Sequence, residues 1–182
     1  MADDKLLQIL LHTKVFQGLS EQNLELFCRY FQRVPFKDND VLVQEGQLRK
    51  ALHIILHGQV KVFLLRYVEG KDQNRITEVQ LAELEDGDCF GEFSLFDEKP
   101  ASASVIATRP GELVRLSKPV FDSILDTNDH IAKIIYHNFV QILIAHMRRS
   151  DKEYDRLLTV QQARHFRERN EDYYLEQLLN PR

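Results

Sequence analysis

Asp86-Gly87-Asp88-Cys89-Phe90-Gly91-Glu92-Phe93-Ser94-Leu95-Phe96-Asp97-Glu98-Lys99-Pro100-Ala101-Ser102-Ala103-Ser104-Val105 is the stretch from which the fold of this chain is read. Its two glycines, set among acidic residues, predict a strand running into a tight turn. Phe93 to Phe96 suffice for one helical turn, and Pro100 punctuates the loop after it. Ser104-Val105-Ile106-Ala107-Thr108 then predicts a resumed strand. A glycine turn feeding a short helix leaves backbone N–H groups pointing outward, which suits an anion. Glu92 beside the turn has the chemistry to accept hydrogen bonds from a sugar hydroxyl, and equally to bond the turn itself.

Upstream of this stretch the texture is short β-runs between turn residues. Val34-Pro35-Phe36-Lys37 contains a proline and is expected at a sheet edge or strand start. Val41-Leu42-Val43 follows the turn Asp38-Asn39-Asp40, and Leu52–Leu56 and Val60–Leu64 flank His57-Gly58. Glu69–Arg75 reads as a polar hairpin tip, and Thr77–Leu84 alternates as a half-buried strand should. Downstream, Pro110-Gly111 separates Ser104–Thr108 from Glu112–Leu116. Seven or eight short strands at this spacing predict a β-barrel or jelly roll. Two helices precede them: one over residues 4–12, and one capped by Ser20 with Leu24, Leu26, Phe27, Tyr30 and Phe31 on its buried side. After Lys118-Pro119 the chain is helical again. The helix from Asp129 carries apolar residues on more than one face, so a second helix or a second subunit is expected to cover part of it.

The central stretch resembles the phosphate-binding cassette of the cyclic nucleotide-binding domain. In that family the pattern is Gly-Glu, two residues, Leu, a short loop, often Pro, then Arg and small residues leading into a strand. Gly91, Glu92, Leu95, Pro100, Ala103 and Val105 fit it, but Ala101 stands where the phosphate-binding arginine belongs. The glycines at 46, 58, 87 and 91 are similarly spaced to that family's strand corners, and the likeness covers about residues 14–145. The resemblance implies an α+β fold: an antiparallel β-roll or jelly-roll barrel with N-terminal helices and a C-terminal helical extension. Its expected parts are helices over 1–32, the β-roll over 33–118 with the cassette at 86–105, hinge and lid helices over 119–150, and an extension over 151–182. It further implies that Gly91, Glu92, Phe93, Ser94, Ala101 and Ser102 line a ligand site, with Glu92 on the ribose hydroxyl and the amides near Phe93 and Ser94 on the phosphate. Lys133, Tyr136, His137 and Val140 would form the lid over the base.

Composition narrows the alternatives. An apolar fraction of 43% with 29% charged residues is that of a soluble globular protein. A net charge of −4 gives no bulk attraction to nucleic acid or acidic membranes. Two cysteines are too few for a disulfide framework or a four-cysteine metal site, and a cytoplasmic location is expected. No apolar run is long enough to span a bilayer. A cupin-like metalloenzyme is a remote alternative, since His53 and His57 share a strand face but stand about 13 Å apart along it. No hydrolase triad, P-loop or cysteine-nucleophile pattern occurs, so no catalysis and no metal are expected. Arg148, Arg149, Arg164, Arg167 and Arg169 are interleaved with acids as on a solvated helix, and the roughly thirty residues after Ser150 are expected to be too few for a winged helix-turn-helix. These features leave a non-catalytic regulatory module whose implied ligand is cAMP or cGMP, or a constitutive dimer or scaffold with a vestigial pocket. Its partner would be another protein, or a second copy, meeting the C-terminal helices.

Ala101 sets the expected affinity. A charge-assisted contact to phosphate contributes about 1.5–3 kcal/mol, and about 2–5 kcal/mol where the site is desolvated. Its loss weakens binding by roughly one to three decades or abolishes it, unless Lys99, Arg109 or another cation reaches in.

Overall fold

The computed structural model describes residues 4–48, 50–68, 75–97, 99–145, 147–148 and 151. The hairpin tip at 69–74 and the extension from 152 onward lie outside the described residues. Contacts divide the chain into two compact units, Met1–Asn138 and Phe139–Arg182.

The first unit opens with α1 (Asp4–His12), a 3-10 turn (Lys14–Phe16) and α2 (Glu21–Cys28). Ser20 caps α2 as expected, its side chain accepting from the Asn23 N–H. Leu24 and Phe27 are buried, but α2 ends at Cys28, and Tyr30 beyond it is 53% exposed instead of buried. Leu10, Val15, Phe16, Leu24 and Phe27 are buried in this hairpin, with the Phe16 and Phe27 rings 4.9 Å apart.

The sheet comprises β1 (Gln32–Phe36), β2 (Val41–Val43), β3 (Ala51–Val68), β4 (Arg75–Leu84), β5 (Cys89–Phe90) and β6 (Ser104–Ser117). Its path is β1-β6-β3-β4, all antiparallel, with β2 added to β6 and β5 to β3. Proline-containing β1 lies at an edge, as its sequence predicts. The strand count is lower than expected because Gly58 and Pro110-Gly111 bend strands without ending them. The ladder between β3 and β6 shifts register at Ile55/His57, His57/Gln59 and Gln59/Val60. There the backbones nearly touch: a Cβ on Gly58 would lie 2.9 Å from Gly111 Cα, and one on Gly111 would lie 2.0 Å from the His57 carbonyl oxygen. Two glycines therefore let two long bent strands cross and turn a flat sheet into a roll.

Inside the roll, Phe36, Ile55, Val60, Phe90, Val105, Ala107 and Leu113 form one cluster, edged by Val34, Leu42, Val43, Val62 and Leu84. Strand β4 departs from its expected half-burial, with Ile76 72%, Val79 42% and Leu81 47% exposed. It pairs only with β3, and a register shift at Val62/Phe63 takes Leu81 out of the ladder. Its alternation is a real strand signal, but among the described residues no second layer covers it.

α3 (Phe93–Phe96) lies in the cassette, and α4 (Lys118–Asp126) follows β6. Residues 129–138 are helical and end the first unit. The Asn138 side-chain amide donates to the carbonyls of Val15 (3.0 Å) and Gln17 (2.8 Å), pinning this helix to the 3-10 turn. In the second unit residues 139–145 are helical. Val140, Leu143, Ile144 and Met147 there are 38–67% exposed. No helix among the described residues is long and apolar enough to cross a membrane.

Candidate functional site

The cassette is anchored by pairing before it turns. β5 lies against β3 with His53 opposite Phe90 and Ile54 opposite Cys89, and the Ile55 N–H donates to the Asp88 carbonyl at 3.0 Å. Gly91 then takes φ +84°, and a Cβ on it would meet the Ala51 carbonyl oxygen at 2.4 Å and His53 Nδ1 at 3.1 Å. That close approach fixes where the chain leaves the sheet, and so where Glu92 starts α3.

The α3 turn is held from several sides. Ser94 Oγ donates to the Gly91 carbonyl at 2.7 Å, and Leu95 is fully buried. Lys118 Nζ donates to the Leu95 carbonyl at 2.6 Å while paired with Asp122 at 2.9 Å, placing a cation at the carbonyl end of the turn. Phe96 meets the rings of Phe121 (6.1 Å) and Tyr136 (6.0 Å) edge-on. The cassette turn thus touches both α4 and the helix at 129–138.

Glu92 is 7% exposed. Burial raises its carboxyl above the ordinary range, and the one opposing influence is its own backbone N–H. Cys89, close by, has its thiol pushed up to about 12 by burial first and then by the carboxylates of Glu92 and Asp88. A thiol so protonated is no nucleophile. Among the described residues no three His, Cys, Asp or Glu side chains cluster as a metal site.

The other predicted residues fall as follows. Ala101 pairs through its backbone, its N–H donating to the Gln47 carbonyl and its carbonyl accepting from the Gly46 N–H, both at 2.9 Å. Ser102 is exposed, while Ser104 is buried and its Oγ accepts from the Glu45 N–H at 3.0 Å. Tyr136 packs on Phe96, and Lys133 and His137 are exposed on the same helix. Val140, the fourth expected lid residue, belongs to the second unit and is 50% exposed. Of the two cations expected to compensate for Ala101, Lys99 is exposed, and Arg109 is exposed and paired opposite Gln59 in the middle of the β3–β6 ladder.

Two features escaped the sequence reading. His53 and His57 do not share an environment, because the register shift at Ile55/His57 leaves His57 exposed and His53 buried. His53 stacks on Phe90 at 4.7 Å and 5°. Burial, and then the Arg115 guanidinium, lower its pKa from 6.5 to about 4, against the carbonyls of Phe90 and Ala51. An unfolded chain therefore takes up a proton between pH 6.5 and about 4 that the folded chain refuses. The stability involved is present above pH 6.5 and lost as pH falls through that window. Between pH 7 and about pH 4.5 the expected loss from this residue is about 2 kcal/mol. Buried Glu92 works in the opposite sense, favouring the fold as it protonates, so the measurement is the difference between wild type and His53→Phe. Urea midpoints with equal pH dependence in the two proteins would remove His53 from this role.

The second feature is an ion pair at Glu45, the residue before Gly46, whose N–H bonds the Ala101 carbonyl at 2.9 Å. Arg66 Nη1 lies 3.1 and 3.3 Å from the two carboxylate oxygens of Glu45 and 2.8 Å from the Leu65 carbonyl. Its signal in the sequence was faint, an arginine in phase with Val60, Val62 and Leu64.

A family model for the cyclic nucleotide-binding domain matches residues 33–128 of this chain. The chain is 30% identical over 150 residues to the cyclic AMP receptor protein of Thermus thermophilus, covering 82% of this chain and 64% of that protein. It is 27% identical over 130 residues to the cGMP-dependent protein kinase egl-4 of Caenorhabditis elegans, covering 71% of this chain and 16% of the kinase. Among solved structures, a cyclic nucleotide-binding domain from Methylobacillus flagellatus superimposes with a TM-score of 0.68 at 27% identity, over 85% of this chain and 82% of that one. With its β-roll, its glycine-gated cassette and a match over more than half its length, the chain belongs to the cyclic nucleotide-binding domain family.

Proposed function

We propose that this chain is a non-catalytic regulatory module that receives a cyclic nucleotide at residues 91–104, with an affinity lowered by Ala101. The observation that carries the reading is Glu92: a carboxylate held 7% exposed at the start of α3, its ionisation opposed by burial and helped only by its own N–H. Such a group costs stability in the free chain and gains hydrogen bonds when a ligand hydroxyl arrives. The ligands of this kind that relatives name are cAMP and cGMP, in a cyclic AMP receptor and a cGMP-dependent kinase. The phosphate would rest near the Phe93 and Ser94 amides, with Ser102 beside it. The base would face the helix that carries Lys133, Tyr136 and His137. Contact of Phe96 with Tyr136 gives bound ligand a way to bias that helix, by a population shift between two helix positions.

The test is calorimetric titration of wild type and Glu92→Gln with cAMP and with cGMP. The variant is expected to unfold about 2–4 °C higher than wild type when free, because an uncompensated buried charge is gone. It is expected to bind roughly tenfold more weakly. Equal affinity in the two proteins would take Glu92 out of the site. Neither heat nor thermal shift with millimolar nucleotide would overturn the ligand reading. The exposed Val140, Leu143, Ile144 and Met147 of the second unit favour a second reading, self-association through these helices. Light scattering after size exclusion tests it, and a monomer at high concentration sinks it.

A further inference from the structure

We infer that Arg66 supplies the cation that Ala101 lacks, and that Glu45 is its counter-ion while the site is empty of ligand. The inference rests on the cyclic nucleotide reading above and names a residue of the site that the cassette pattern does not contain. Its ground is strand topology. In the β3–β6 ladder Val62 stands opposite Val105 and Phe63 opposite Ser104. On the other side of β6, Val43 pairs with Val105 and the Glu45 N–H bonds to Ser104 Oγ. The beginning of β6 therefore lies between Glu45 and β3. Arg66 on β3 bonds Glu45 on the far side, so their ion pair spans the junction where the cassette loop enters β6.

The face is also the right one. Side chains alternate along a strand, so Val60, Val62, Leu64 and Arg66 share a face. Val60 belongs to the interior cluster and Val62 packs against it. Arg66 thus leaves β3 toward the inside of the roll. The ladder ends with Phe63 opposite Ser104, three residues short of Arg66 on one strand and three residues after Ala101 on the other. The main chain at Ala101 is committed to Gly46 and Gln47, and its side chain is a methyl group, which leaves room for a guanidinium from the neighbouring strand. Arg66 and Glu45 side chains are 46% and 36% exposed, so the pair is a weak one that an arriving phosphate can displace. A guanidinium offers a phosphate two parallel donors, as it does a carboxylate.

Calorimetric titration of the full chain with cAMP and cGMP tests this, on wild type, Arg66→Gln, Arg66→Lys and Glu45→Gln. Arg66→Gln is expected to weaken binding roughly tenfold or more, and Arg66→Lys to recover part of that. Glu45→Gln is expected to strengthen binding by up to roughly fivefold, because it frees the guanidinium. Opposite signs from the two halves of one ion pair are not what a purely structural pair gives, since breaking it from either side would lower the melting temperature and affinity together. Unchanged affinity in Arg66→Gln, with wild type binding, overturns this inference alone. Absence of binding by wild type overturns the ligand reading and this inference with it. Should Arg66→Gln melt early, Glu45→Gln decides, and weakened binding there is the overturning result.

Discussion

Gly91→Ala is expected to destabilise the first unit by about 4 kcal/mol, the largest loss of any single-methyl addition near the cassette. Two costs act together. A φ of +84° disfavours an L side chain, at about 1–2 kcal/mol. The added Cβ would also lie 2.4 Å from the carbonyl oxygen of Ala51, the first residue of β3, a main-chain atom that no rotamer change can move aside. Overpacking against such a neighbour costs a further 1–3 kcal/mol or so. Gly87→Ala separates the two, because its φ is +85° and a Cβ there meets nothing within 4 Å. Gly87→Ala should lose only the conformational part. Urea unfolding of both variants measures the difference, and equal midpoints would show that the contact with Ala51 relaxes freely. Whatever Gly91→Ala leaves folded should also bind nucleotide poorly, since Glu92 begins where Gly91 ends.

Much of the cassette was legible because its signals are local. The glycine turn, the helical turn at Phe93–Phe96, the Ser20 cap and the proline-marked edge strand each follow from neighbouring residues, and the structure has all four. Gly58 and Gly111 were misread as strand ends because glycine marks a turn and a close crossing alike, and only the partner backbone tells them apart. Alternation in β4 gave the strand but not its exposure, which depends on whether a second layer covers it. His53 followed the same rule, since a register shift two residues on decided which histidine is buried. Glu92 and Ala101 could be picked out by their place in a pattern. Arg66 could not, because its tie to Glu45 runs across β6, through the β3–β6 register and not through sequence proximity.

Ala101→Arg turns that register into a quantitative expectation, best posed as a cycle with Arg66→Gln. In the Arg66→Gln background the new arginine would restore the only strong cation at the site, and nucleotide affinity should rise roughly tenfold to a hundredfold. In wild type the gain should stay below about tenfold. A cyclic phosphodiester carries one negative charge, Arg66 already meets it, and two guanidinium groups side by side repel. The difference between the two gains is the coupling between positions 66 and 101, which is expected for residues that share a partner and absent for residues that do not. Equal gains in both backgrounds would place Arg66 outside the site while keeping Ala101 in it. No gain in either would mean that the side chain at 101 does not reach the phosphate. The large-gain, small-gain pattern is the one outcome that requires positions 66 and 101 to meet a single anion. The expectation rests on β6 starting between Glu45 and the strand that carries Arg66.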